Sequence, residues 1–298
     1  MLRNSYKAAA NYARGAVEML DSAVRIAYGL RFKRSELSRR HKKAIVLGNG
    51  PSLKVDYGAL EAAARQADAD LWCVNFFGTS PEYQKLRPNN YVIADPGHWE
   101  DDVTDELKVA REEFLTVVTK ATQWEVLFHF PQSAKDTDFV ARLAAHPLIR
   151  IRFFNPTTVP CRYKPLLFWF YRHELAMPAQ QNVLIPAIFL CILSHYQEVL
   201  LLGADHSWHG DIVVKDSTVM IRDKHFYDDE VQLKPFFKNS TETFSMAEIF
   251  YIWGKVFAQY ELLASFSKDC GVEVTNASST TFIDSFRQAT LRYPAAPS

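Results

Sequence analysis

The chain has 298 residues, 48% of them hydrophobic and 13% aromatic, which is enough to bury one large α/β domain with appendages. Its formal charge is zero but divided: residues 1–43 carry eleven Lys/Arg against Glu18, Asp21 and Glu36, a balance of +8 that leaves −8 for the remainder. An acidic body argues against a nucleic-acid groove, four scattered cysteines without C-x-x-C spacing argue for a reducing compartment and against structural zinc, and the lack of a leader or long apolar run predicts a cytoplasmic protein.

In chain order, Tyr6, Ala9, Ala13, Val17, Leu20, Val24 and Ala27 recur at three- or four-residue spacing and predict an amphipathic helix within a basic arm, residues 1–40. Such a helix is suited either to an anionic membrane surface, through residues 1–35, or to packing on protein. A core of residues 41–204 follows. The apolar runs 44–47, 71–74, 91–94, 126–130, 149–154 and 199–202 predict buried strands, and the patterns at 57–66, 103–120, 133–144 and 185–196 predict helices between them. That alternation predicts a Rossmann-like, doubly wound and mostly parallel sheet. Residues 205–244 lose periodicity yet keep Trp208, Phe236 and Phe237, which reads as an ordered, inserted lid. Residues 245–298 close the core with a helix at 246–266 and a strand at 272–275.

The chemistry concentrates where strands end. Gly48-Asn49-Gly50-Pro51-Ser52 follows the first strand; glycines let backbone approach a phosphate, and Ser52 can cap the next segment. The loop is neither G-x-G-x-x-G nor a P-loop, which argues against NAD and ordinary P-loop chemistry. Asn75 and Asp95 end the next two strands, and the three loops together suggest a nucleoside pocket in which those side chains meet ribose or base edges. Asp205, His206 and His209 follow another strand. They could ligate a metal, but without an H-x-x-x-H pair on a helix, general acid/base work is the stronger reading. In the expected lid, His225 and Tyr227 add an imidazole and a phenol, while His129, His146, His173 and His195 sit in apolar context and read as structural.

Gly48-Asn49-Gly50-Pro51-Ser52-Leu53-Lys54 with Asp56-Tyr57 is similar to the opening of the bacterial sialyltransferases that use CMP-sialic acid. Cys73-Val74-Asn75, Gln181-Asn182-Val183 and His195-Tyr196-Gln197-Glu198-Val199 before Gly203-Ala204-Asp205 extend the resemblance over roughly residues 44–206. It implies a metal-independent glycosyltransferase that moves an acidic sugar, sialic acid or Kdo-like, from a CMP-sugar donor to a cell-envelope glycan acceptor. It also implies that Asn49, Gly50, Ser52, Asn75 and Asn182, with Gln181 beside it, contact the nucleotide. The family's lid histidine would fall near Thr243 and Phe244, where this chain has none, so His225 or His206 must supply the base and Tyr227 the phosphate contact. The same loop also resembles a broader group related to 6-hydroxymethylpterin diphosphokinase. That resemblance implies Mg-ATP diphosphate transfer, with Asp95 and Asp205 holding magnesium through water. A third expectation, from a different class, is a non-catalytic nucleotide-sugar-binding or scaffold subunit of envelope assembly.

Overall fold

The computed structural model describes residues 15, 17–27, 29, 37, 39–66, 68–222, 233–239 and 241–289. An eight-stranded sheet runs through them in the order β11-β10-β6-β1-β2-β3-β4-β5, and every neighbouring pair is parallel. The strands are β1 (Lys43–Leu47), β2 (Ala69–Val74), β3 (Asn90–Val92), β4 (Val126–Pro131), β5 (Ile149–Phe154), β6 (Glu198–Leu202), β10 (Glu273–Asn276) and β11 (Arg287–Gln288). The Rossmann-like, doubly wound α/β reading holds.

Alternation along each strand divides the core between two faces. Ala44 and Val46 point into one cluster with α6 (Lys164–Arg172), α7 (Leu184–Leu193) and α8 (Met246–Asp269). Ile45 and Leu47 point into the other, with α2 (Ser52–Gln66), α3 (Pro81–Leu86), α4 (Asp105–Ala121) and α5 (Asp138–Ala144). All ten residues of α7 are buried, because it packs on β1, β2 and β6 beneath α8. Pro186 does not break it: it sits in the first turn, where the missing N–H has no helical acceptor to lose. A capping box, Ser245 with Glu248, starts α8.

The chain enters β1 through a clamp. Asp70, fully buried, accepts the amides of Arg40 (2.9 Å) and His41 (3.3 Å) and the Tyr196 hydroxyl (2.6 Å). Ahead of it, α1 (residues 17–27) lies on the body through Glu18, which pairs with Arg162 at 3.1 Å, and through buried Ser22. The segment expected as an irregular lid holds a small antiparallel sheet of β7 (Ile212–Lys215), β8 (Thr218–Arg222) and β9 (Leu233–Pro235). The expected helix at 133–144 is a short 3-10 turn, Gln132–Ala134, followed by α5. No helix among the described residues is long and apolar enough to cross a membrane.

Candidate functional site

From β1 the sheet grows outward to β5, then the chain returns to lay β6 on the other side of β1. The loops after β1 and β6 therefore diverge at a topological switch point, where open α/β sheets bind ligands. A cleft of about 430 Å³ opens there, walled by the ends of β1, β2 and β3, the start of α7, the loop after β6 and the end of β8.

Its floor is a crossing of two loops. Gly48 N donates to Leu202 O at 2.7 Å, and Gly50 N donates to Gly203 O at 2.9 Å. A Cβ on Gly50 would lie 2.5 Å from Asp205 Oδ1, and one on Gly203, whose φ is +64°, would lie 2.7 Å from Gly48 O. Glycine is needed here for backbone contact between loops. Asp205, 4% exposed, completes the clasp: Ser52 N donates to its Oδ2 at 2.7 Å and Ser52 Oγ to its Oδ1 at 2.5 Å. Burial raises the carboxyl's pKa, and the two bonds from Ser52 oppose the rise.

This corrects the expectation that the loop's amides cradle a phosphate. Those of Gly48, Gly50 and Ser52 already have protein acceptors, and neither Gly48 nor Ser52 borders the cleft. What the loop presents is Gly50, Pro51 and the Asn49 side chain. Asn49 Nδ2 donates to Val74 O at 3.3 Å, which orients the amide, and its Oδ1 is buried with no partner. Asn75 is similar: held at φ +46°, it carries a buried Oδ1 without a partner. Two carbonyl oxygens beside one cleft thus lack donors, and burying an acceptor unmatched is costly. Asp95 also borders the cleft, but it is exposed and caps its own turn by accepting Gly97 N at 2.9 Å. Below it, His98 stacks on Phe76 with ring centroids 4.5 Å apart, and burial lowers its pKa to about 4.

On the opposite wall, Gln181 and Asn182 precede α7. Asn182 Oδ1 accepts Leu184 N at 2.8 Å, so its Nδ2 is the group that faces His206 Nε2, 2.9 Å away. The Tyr260 hydroxyl reaches the same nitrogen at 2.7 Å and Asn182 Oδ1 at 3.1 Å. Because the Leu184 amide dictates which way Asn182 points, His206 Nε2 is an acceptor and the ring proton sits on Nδ1. His206 is 6% exposed, lies against Trp208 with centroids 4.1 Å apart, and is lowered by burial to about 3. It is therefore a neutral imidazole whose Nε2 is engaged, a hydrogen-bond donor in character.

The other expected residues divide. His209 is exposed, packs edge-on to Phe282 at 4.4 Å and does not border the cleft. His225 and Tyr227 lie outside the described residues. Among the described residues, no group of three or more His, Cys, Asp or Glu side chains is arranged to hold a metal ion. Sequence reasoning missed Arg222, the one cation among the described residues bordering the cleft, and Tyr260, which comes from α8. Arg222 ends a strand too short and mixed to stand out, and Tyr260 falls in a helical pattern where core packing accounts for it. No family model matches the chain, and no curated protein matches it.

Proposed function

We propose that the cleft takes the nucleoside of an activated sugar and that the chain is a glycosyltransferase of sialyltransferase type, moving an acidic sugar from a CMP donor to an envelope glycan. The observation that carries this reading is the pair of buried, partnerless oxygens, Asn49 Oδ1 and Asn75 Oδ1, at the switch point. Such acceptors call for O–H or N–H donors, and ribose hydroxyls and the exocyclic amine of cytosine supply them. Arg222 is the cation at hand for the phosphate, and His206 Nδ1–H is a neutral donor to a ligand oxygen.

In the reaction, the acceptor hydroxyl oxygen attacks the anomeric carbon and gives its proton to a base. The bond from that carbon to the phosphate oxygen breaks, and CMP leaves with the electron pair. His206 is unsuited to the base role, since its Nε2 already accepts and burial opposes its charging. His225 inherits that role, and Tyr227, two residues on in the sequence, is assigned to the leaving phosphate. The magnesium reading is the weaker one because both Asp205 oxygens are bonded to Ser52. A cytoplasmic enzyme working at the inner face of a membrane fits this reaction.

The test is thermal shift and calorimetry with CMP, CDP, UDP, AMP and ATP, each with EDTA or Mg²⁺. CMP is expected to stabilise the protein in EDTA and to lose its effect on Asn75→Ala. Stabilisation by ATP only with Mg²⁺ would replace the reading with diphosphate transfer, and no response to any nucleotide would leave a scaffold.

A further inference from the structure

α1 turns the wrong face outward for a helix that only packs on its own domain. It meets the body through Glu18 and Ser22, and Gly29 does so just beyond it: Glu18 reaches Arg162, Ser22 is 2% exposed, and a Cβ on Gly29 would lie 2.9 Å from Thr157 Oγ1. The apolar stripe faces away, with Val17 67%, Leu20 69% and Val24 62% exposed. These three fall at i, i+3 and i+7, one line along a helix. The inward side is thus short and mixed, Glu18 and Ser22 with Ile26 half-buried beside them, and the stripe of Val17, Leu20 and Val24 has no cover among the described residues.

We infer that this stripe is a docking surface for an anionic lipid bilayer. The surrounding sequence is basic, eleven Lys/Arg against three acids over residues 1–43. Two of those acids are in α1 and both are paired, Glu18 with Arg162 and Asp21 with Arg25 at 2.9 Å. The outward stripe is therefore apolar, and in the sequence it is bracketed by Arg3, Lys7 and Arg14 on one side and Arg31, Lys33 and Arg34 on the other, the combination a helix needs to lie at the boundary between headgroups and acyl chains. A nucleic acid would use the charge and leave the stripe wet. A second copy of this chain would cover the stripe while bringing two +8 segments together.

The neighbouring segment adds interfacial chemistry. Beside Arg162, Tyr163 is 68% exposed, and Trp169 on α6 is 47% exposed; such rings favour a boundary that is apolar on one side and wet on the other. Asn155 and Thr157, against which Gly29 rests, follow the carboxyl end of β5, so this segment lies on the carboxyl-end side of the sheet, the side on which the cleft opens at β1, β2, β3 and β6. Docking there would hold the cleft beside a lipid surface.

The test is co-sedimentation of the full chain with phosphatidylcholine vesicles, with and without phosphatidylglycerol, at low and high salt. The protein is expected to pellet with phosphatidylglycerol vesicles, less so as salt rises. The double variant Leu20→Glu/Val24→Glu should lower binding by at least about tenfold, since each side chain removed from an apolar phase is worth about that factor. Val109→Glu, at an exposed position on α4, should bind as the wild type does. Both positions in the double variant are exposed, so an unchanged melting temperature and circular dichroism spectrum certify the fold. The inference is overturned if the wild type stays in the supernatant, or if the double variant pellets equally well. It is equally overturned if light scattering finds a dimer that the double variant dissolves, without vesicle binding, which would assign the stripe to a second copy.

Discussion

The triangle of His206, Asn182 and Tyr260 makes a quantitative prediction about acid stability. Folding lowers the His206 pKa from 6.5 to about 3, because the ring is buried against Trp208 and its Nε2 accepts rather than donates. The native state then refuses a proton that the unfolded chain takes up below its ordinary value. The resulting stability is present above pH 6.5 and is lost as pH falls toward about 3. Between about pH 7.5 and about pH 5 the loss from this one residue amounts to about 2 kcal/mol, at about 1.4 kcal/mol per unit. His206→Asn removes the titrating group, and asparagine accepts the left-handed backbone that His206 holds at φ +55°. It also forfeits packing on Trp208, at every pH, so the informative quantity is the change with pH. Urea unfolding of both proteins across that range should give wild type a fall about 2 kcal/mol steeper than the variant. His98, lowered to about 4, adds its own acid sensitivity to both and cancels from the comparison. Parallel pH dependences would refute the reasoning, showing that His206 either charges freely in the fold or is exposed to solvent.

Other outcomes follow from single contacts. Gly50→Ala would set a Cβ 2.5 Å from Asp205 Oδ1 and 2.6 Å from Gly203 O, and should destabilise the protein in urea titrations by about 1–3 kcal/mol. Gly254→Ala, in α8 with open space around it, should stabilise by about 0.5–1 kcal/mol in the same assay. Asp205→Asn can keep both bonds, its oxygen accepting Ser52 N and its amide donating to Ser52 Oγ, so at neutral pH it should stay within about 1 kcal/mol of wild type. Because burial raises the Asp205 pKa, the native state holds that proton more tightly than the unfolded chain does; wild type should therefore gain on Asp205→Asn as pH is lowered. Glu174→Gln removes the carboxylate 2.7 Å from Arg152, which is 2% exposed, and should cost about 3 kcal/mol by thermal or urea unfolding.

The parallel sheet was legible because its strands are short apolar runs bounded by polar strand ends. The expected run 149–154 coincides with β5, and the remaining expected strands fall within two residues of the observed ends. The layers escaped where a signal has no period. Leu166 to Tyr171 are all apolar or aromatic, so α6 shows no polar stripe to mark its helical turn. The β7–β8 hairpin was hidden differently: Asp216 and Ser217 both adopt positive φ in its two-residue turn, a geometry whose usual marker is Asn-Gly. At the site, Asn49, Asn75, Asp95, Gln181, Asn182, Asp205 and His206 do border one cleft. What sequence could not say is which polar groups are already engaged. Ser52 reads as a nucleotide-binding residue and Asp205 as a catalytic or metal-holding one, and the structure bonds the two to each other.

That clasp joins residues 153 positions apart, and β1 gains its second neighbour only when β6 arrives. A nascent chain that has emerged as far as β5 can pair β1 through β5, but one side of β1 remains an open strand edge. The contact order of the cleft is accordingly high, and its closure belongs to the last stage of folding, after the local βα units have formed. The seam that floors the cleft is therefore absent from any chain that stops before β6. The same delay makes the outer edge of β1, with its apolar Ile45 and Leu47, the stretch most in need of a chaperone until residue 202 is available.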